Sequence, residues 1–282
     1  MDMDKNLLEM MLSRVGDLGF RRRVATLLDY LDIRDGQRVL DLGCGEGFYT
    51  MVIGGLYDVE VTAFDFNAEI LEKAASWIKD GKRIKFVNGD MSRGLPFEND
   101  TFDRVIFTEA LEHVEDDLGA LNEVRRVLRP GGVVGLTVPN GNYPFLWDPI
   151  NWTRERLGLG HFSPRNTVLG GVWSYDHKRL YSPQGIRGLA VEAGFRVMKL
   201  ETLTHYCVPF NYHILRLGKL LSTKLPVPRG MKDSMEKFRW EGERSFGPMK
   251  AALNLFRWVD SRNERLNGKE TSSVSISLKL EK

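Results

Sequence analysis

Val39-Leu40-Asp41-Leu42-Gly43-Cys44-Gly45-Glu46-Gly47 decides how this chain folds. Val39 to Leu42 reads as the end of a buried strand. Gly43, Gly45 and Gly47 then leave the backbone bare at alternate positions. Glycine adopts positive φ without a Cβ penalty and lets a ligand approach the main chain closely. Phe48 to Leu56 continues as an apolar helix (Phe48-Tyr49-Thr50-Met51-Val52-Ile53). A strand, a glycine turn and a helix start form the usual nucleotide site of an open α/β sheet, at the carboxyl end of the strand. The dinucleotide fingerprint needs Gly or Ala three positions after its second glycine. Here that position is Phe48, so a nicotinamide dinucleotide fits poorly.

Composition sets the outer limits. At 282 residues and 42% hydrophobic content, the chain suits one large domain with insertions and can bury a full core. A net charge of +2 gives no global field that would draw nucleic acid. The two cysteines, Cys44 and Cys207, lie far apart, which favours a reducing compartment over a disulfide framework. No apolar run reaches the roughly 18 residues of a spanning helix. Asp2, Asp4 and Glu9 do not suit a secretory leader. These features lead us to expect a cytoplasmic enzyme.

Further strands follow in order. Val59 to Asp65 is the second, and Asp65 stands 18 residues beyond Gly47. An acid about 20 residues past the glycine loop, at the tip of the second strand, can accept hydrogen bonds from a ribose diol. Asn67 is available to cap the next helix, which leaves Asp65 for that task. Ile84 to Val87 is the third strand, followed by Asn88-Gly89-Asp90-Met91. Phe102 to Phe107 is the fourth and runs into Thr108-Glu109-Ala110-Leu111-Glu112-His113-Val114. A helix from about Asp116 to Leu128, then Pro130-Gly131-Gly132, opens a fifth strand over Val133 to Val138.

These motifs, in this order over residues 36–140, resemble the class I S-adenosylmethionine (SAM) methyltransferases of the type 11 group. The glycine pattern preceded by Asp41 resembles motif I, and Leu-Glu-His-Val followed by Arg-Val-Leu-Arg-Pro-Gly-Gly resembles that group's later motifs. The resemblance implies an α/β, Rossmann-like sheet of seven strands, mostly parallel with the last antiparallel and inserted between strands five and six. It implies SAM as cofactor, lined by Asp41, Gly43, Cys44, Gly45, Gly47, Asp65, Phe66, Asp90, Met91 and Thr108. Asp90 would take the adenine amino group, with Met91 packing on the ring. Methyltransferases of DNA bases carry Asn/Asp-Pro-Pro-aromatic after strand four, or need a cysteine nearby. This chain has neither, which tells against DNA.

The rest of the chain is read around this unit as one domain, 1–282. Residues 1–35 read as N-terminal helices parted by Gly16 and Gly19, with Arg21, Arg22 and Arg23 on a solvated face. Residues 139–181 form an aromatic insertion of no regular period, suited to line an acceptor pocket. Ser182-Pro183 begins a helix ending at Gly194, Phe195 to Glu201 is a sixth strand, and Val274 to Leu280 alternates as the last. Residues 202–270 form a second insertion. Between His205 and Lys232 it carries Arg216, Lys219, Lys224, Arg229 and Lys232 and no acid, the pattern of a lid or of a helix lying on an anionic membrane.

The expected reaction is methyl transfer to a small-molecule acceptor, most plausibly at oxygen. His113 is the expected general base, with His161 and His177 as rivals. Glu109, Glu112 and His113 also form Glu-x-x-Glu-His. If that segment is helical, positions i, i+3 and i+4 share one face and could hold a divalent cation. The same pentad resembles the magnesium element of quinone-biosynthesis and small-RNA 2′-O-methyltransferases, the latter with a further histidine. Leu-Glu-His-Val also occurs in type 11 enzymes that use no metal, and a metal-free site is the expectation. A quinone-precursor lipid or terminal RNA ribose as acceptor, and a SAM-binding protein without turnover, are the alternatives. Oligomeric state is not legible.

Overall fold

In the computed structural model, Asp17 caps the helix that precedes the sheet by accepting a hydrogen bond from the Phe20 N–H at 2.9 Å. That helix, α1, spans Leu18–Leu31, so Gly19 lies inside it rather than between two helices. A capping carboxylate two residues earlier outweighs the modest helix penalty of one glycine near the end. The structure describes residues 8–9, 12, 17–77, 83–162, 168–173, 177–207, 209–210, 213, 217, 258–266 and 272–282.

The elements that follow are β1 (Arg38–Leu42), α2 (Phe48–Leu56), β2 (Glu60–Asp65), α3 (Ala68–Ser76), β3 (Ile84–Asn88), β4 (Phe102–Thr108) and α4 (Asp117–Val127). They continue as β5 (Leu128–Pro139), α5 (Pro149–Arg156), α6 (Pro183–Glu192), β6 (Arg196–Leu203) and β7 (Ser275–Glu281). The seven strands form one sheet in the order β3-β2-β1-β4-β5-β7-β6. The first five are parallel; β7 runs antiparallel between β5 and β6. Strand order reverses between β1 and β4, and ligands bind open α/β sheets at such a point.

Strand alternation splits the core between the two faces. Val39 and Ile106 pack with Val24, Leu27 and Leu31 of α1 and Val52 and Ile53 of α2. Leu40, Leu42, Val105 and Phe107 point the other way, onto Leu121 and Val124 of α4 and Ile186 of α6. Each fully buried aliphatic or aromatic side chain contributes about 1.5–3 kcal/mol, so the pattern commits the sheet to this register.

Two surfaces differ from the sequence reading. Arg22 and Arg23 are not solvated: Arg22 pairs with Asp260 at 3.0 Å, and Arg23 pairs with Glu109 at 3.0 Å. Both guanidinium groups are folded in because the sequence supplies acids far along the chain, which no local period reveals. The aromatic insertion does hold a regular element, α5, capped by buried Asp148 with Pro149 at its first turn. A segment at 168–173 forms a 3-10 turn kinked at Gly171. Of residues 205–232, only 205–207, 209–210, 213 and 217 fall within the described set, so the basic amphipathic helix expected there lies outside it. No helix among the described residues is long and apolar enough to cross a membrane.

Candidate functional site

The glycine loop is built by two strands. The N–H groups of Gly43 and Cys44 both donate to the Phe64 carbonyl, at 2.8 and 3.0 Å. All three glycines have positive φ: 71° at Gly43, 52° at Gly45 and 79° at Gly47. A Cβ at Gly43 would strike the Ala110 Cβ at 2.7 Å, and one at Gly47 would strike the Ala74 Cβ at 2.9 Å. A Cβ at Gly45 would meet nothing within 4 Å. Two glycines therefore let neighbouring chain pack close, while Gly45 borders open space.

Asp65, at the tip of β2, is buried. Its Oδ2 accepts from the Gly45 N–H and its Oδ1 from the Asn67 N–H, each at 2.9 Å. Asn67 itself caps α3 by accepting from Ile70. A carboxylate offers about four lone-pair sites, so Asp65 holds the loop and retains acceptor capacity. Phe66 beside it is 76% exposed. Asp41 is fully buried and accepts from both the Thr50 N–H (2.9 Å) and hydroxyl (2.6 Å), tying β1 to the first turn of α2. Burial pushes its carboxyl up to about 7, against the two Thr50 hydrogen bonds. The Cys44 thiol is buried and its pKa raised by desolvation, so it is not a nucleophile.

Asp90 caps the short turn Met91–Arg93, accepting from the Ser92 N–H and hydroxyl through Oδ1. Those bonds hold its carboxyl below its ordinary value. Met91 sits across from Gly43, and Thr108 ends β4 opposite Thr137. The ten residues expected to line a cofactor thus lie in the carboxyl-terminal halves of β1, β2 and β4 and on the loops after β1, β2 and β3.

After β4 the chain departs from the expected helix. Glu109 has φ 48°, and only Leu111–His113 forms a single 3-10 turn. The Glu109 N–H stays in the β4–β5 ladder by donating to the Thr137 carbonyl, which forces the turn. Glu109 then faces Arg23, so Glu109, Glu112 and His113 do not share one helical face. The group that does converge is Glu112, His113 and His177, with ligand-type atoms within 4.8 Å of one another. His177 arrives because 177–181 is stitched to the segment after β4. The Lys178 N–H donates to the Glu112 carbonyl at 3.0 Å, Arg179 pairs with Asp117 at 2.8 Å, and the Tyr181 hydroxyl donates to Asp117. The His113 and His177 rings meet edge to face with centroids 4.8 Å apart. Glu112 is wholly buried, and desolvation beside Glu109 raises its carboxyl pKa. Burial and His113 push His177 down to about 4. His161 is elsewhere, stacked on Trp173 at 3.9 Å. The sequence named His177 as one rival of two; only the fold distinguishes it from His161.

Residues 39–132 match a family described as a methyltransferase domain. An uncharacterized 37.1 kDa protein in transposon TN4556 of Streptomyces fradiae is 29% identical over 238 residues, covering 82% of this chain and 64% of that one. The demethylmenaquinone methyltransferase of Staphylococcus aureus strain MRSA252 is 37% identical over 117 residues, 41% of this chain and 47% of that one. The chain thus spans less than two thirds of the length of either relative. A Haemonchus contortus phosphoethanolamine N-methyltransferase 2, solved with S-adenosyl-L-methionine, shares the fold at 19% identity and a TM-score of 0.55, over 93% of this chain and 52% of that one. With the sheet order, the glycine loop and the acid at the tip of β2 already in place, residues 39–132 are matched as a methyltransferase domain, and the chain is similar to the class I SAM-dependent methyltransferases of the type 11-like group.

Proposed function

We propose that this protein transfers a methyl group from SAM to a hydroxyl oxygen of a small, partly apolar acceptor. The observation that supports it most is the open space at Gly45 beside the Asp65 carboxylate, where the strand order reverses. In this reading Asp65 takes the ribose hydroxyls with its remaining lone pairs. Phe66 and Met91 flank the adenine, and Asp90 accepts from its amino group through the oxygen not engaged by Ser92. Gly43, Cys44, Gly45, Gly47 and Thr108 line the rest, with Asp41 holding the loop's far end. When bound, SAM supplies an already activated sulfonium methyl, which passes to the acceptor oxygen as that oxygen loses its proton. The chain's work is alignment and exclusion of water. In this reading His113, the more exposed imidazole of its cluster, takes that proton. In this reading the aromatic insertion, 139–181, lines the acceptor pocket.

Calorimetry should show binding of SAM and S-adenosylhomocysteine and none of NADH. Tight NADH binding without SAM would overturn the reading. Turnover of labelled SAM separates an enzyme from a SAM-binding protein that does no chemistry. The name of the Staphylococcus aureus relative makes quinone-related compounds the first acceptors to assay; a terminal RNA ribose comes second. Residues 205–232 add a proposed contact of a cytoplasmic protein with anionic membrane. Cosedimentation with anionic vesicles should then fall with added salt, because exposed charges are screened over ~10 Å at 0.1 M.

A further inference from the structure

We propose that the indole face of Trp173 is the stacking platform for the ring of a planar aromatic acceptor, and that His161 covers this platform until the acceptor displaces it. The inference deepens the methyl-transfer reading and rests on it for the role of the bound ring. A ring pair carries the argument. The His161 imidazole lies on Trp173 with centroids 3.9 Å apart and planes 10° from parallel. Aromatic side chains that merely pack together prefer offset or edge-to-face contacts with centroids about 4.5–7 Å apart. Closer, face-to-face contact is how a flat ring sits on an indole, and here the chain's own imidazole takes that place.

The platform is fixed, whereas its cover is exposed. Trp173 is half-buried, and its indole N–H donates to Glu155 Oε1 at 2.5 Å. The other oxygen of Glu155 accepts from the Tyr143 hydroxyl at 2.7 Å. One residue before Trp173, the Val172 N–H donates to the buried Asp148 carboxylate at 2.9 Å. Asp148 caps α5 and Glu155 lies in its last turn, so one helix aims the ring. His161 instead ends an exposed run, 157–161. Gly158 and Gly160 give that run φ values of 71° and 64°, and a Cβ on either would meet nothing within 4 Å. These glycines shape the path of the run without packing it against a neighbour, so moving the imidazole aside uncovers the indole and opens no core. The Val172 backbone also hydrogen-bonds the His177 ring, which puts Trp173 one residue from the histidines after β4. Stacking fixes the plane of an acceptor ring and leaves a hydroxyl at its edge free to be aligned with the sulfonium methyl.

The test uses β-naphthol as the planar probe and its saturated counterpart, decahydro-β-naphthol, as the control, on full-length protein and without turnover. Calorimetry should show β-naphthol binding about tenfold more tightly than the saturated alcohol, because stacking adds to apolar burial. The Trp173 indole N–H resonance, identified by its loss in Trp173→Phe, should move on adding β-naphthol. Trp173→Leu should weaken β-naphthol about tenfold, and Trp173→Phe should keep most of the affinity because a ring remains. His161→Ala should strengthen binding about threefold by removing the competing ring. Equal affinity for the two alcohols, an unmoved Trp173 resonance, or weaker binding by His161→Ala would each overturn the proposal. Because His161 is exposed, its variant gives an answer even if a Trp173 variant fails to fold. SAM calorimetry on the same samples keeps the two readings apart. SAM binding without β-naphthol stacking sinks only the platform; β-naphthol stacking without SAM binding sinks the methyl-transfer reading and leaves Trp173 a ring-binding site.

Discussion

Asp65 and Asp41 are both buried about the glycine loop, and each accepts two hydrogen bonds. Asp65 meets two backbone N–H donors. Its replacement by alanine should weaken SAM binding by about 1–3 kcal/mol, the range for hydrogen bonds to a charged group. Unchanged affinity in a folded variant would remove Asp65 from the site. Asp41 is buried deeply enough that its carboxyl is pushed up to about 7 from an ordinary 3.8. The folded chain therefore holds that proton more tightly than the unfolded one. The stability this lends is fully present below about pH 4 and is lost as pH rises to about 7, at close to 1.4 kcal/mol per pH unit. Asp41→Asn keeps an oxygen for the Thr50 donors but cannot ionise. Urea midpoints of the variant and the natural protein should therefore diverge across that window. Parallel pH dependences would refute the shift.

At the scale of elements, the β1–loop–α2 unit depends on approaches that only a bare Cα permits. Gly43→Ala should cost about 1–2 kcal/mol for its left-handed backbone, plus a clash with Ala110. It should also reduce SAM affinity at least tenfold, by displacing the loop from the turn after β4. Gly131→Ala is the control: its φ is 74°, but no atom lies within 4 Å of the added Cβ. It should incur the backbone cost and leave SAM binding alone. Equal effects of the two on affinity would show that strain, not the packing at Ala110, governs the loop. The site after β4 follows the same logic, because its turn and the strap 177–181 are held by backbone bonds rather than by helical period.

For the whole molecule, the last strand is structurally central. β7 pairs with β5 on one side and β6 on the other, and its Leu278 is fully buried. Leu278→Ala should destabilise the fold by about 2–5 kcal/mol in urea unfolding, while Lys279→Ala stays within about 0.5 kcal/mol. A shift at Leu278 no larger than at Lys279 would mean that the sheet tolerates loss of its closing strand. The N- and C-terminal parts also meet directly, through Arg22 and Asp260.

What the amino-acid order by itself determined is the local physics. Short apolar runs marked the parallel strands and alternation the last one, and Gly43, Gly45 and Gly47 marked the turn because positive φ demands glycine there. Asp65 was legible from its distance to that turn. Ser182-Pro183 and Asn67 were legible as helix starts, because capping acts over three residues. Contacts between distant segments were not legible. The pairing of Arg22 with Asp260 and of Arg23 with Glu109 leaves no periodic trace. The 3-10 turn at Leu111–His113 replaced the expected helix because Glu109 remains bonded to β5. His177 reaches Glu112 only because the strap after the aromatic insertion folds back along the segment following β4. Only the tertiary structure decided which histidine joins that cluster, since the choice depends on hydrogen bonds across 64 or more residues.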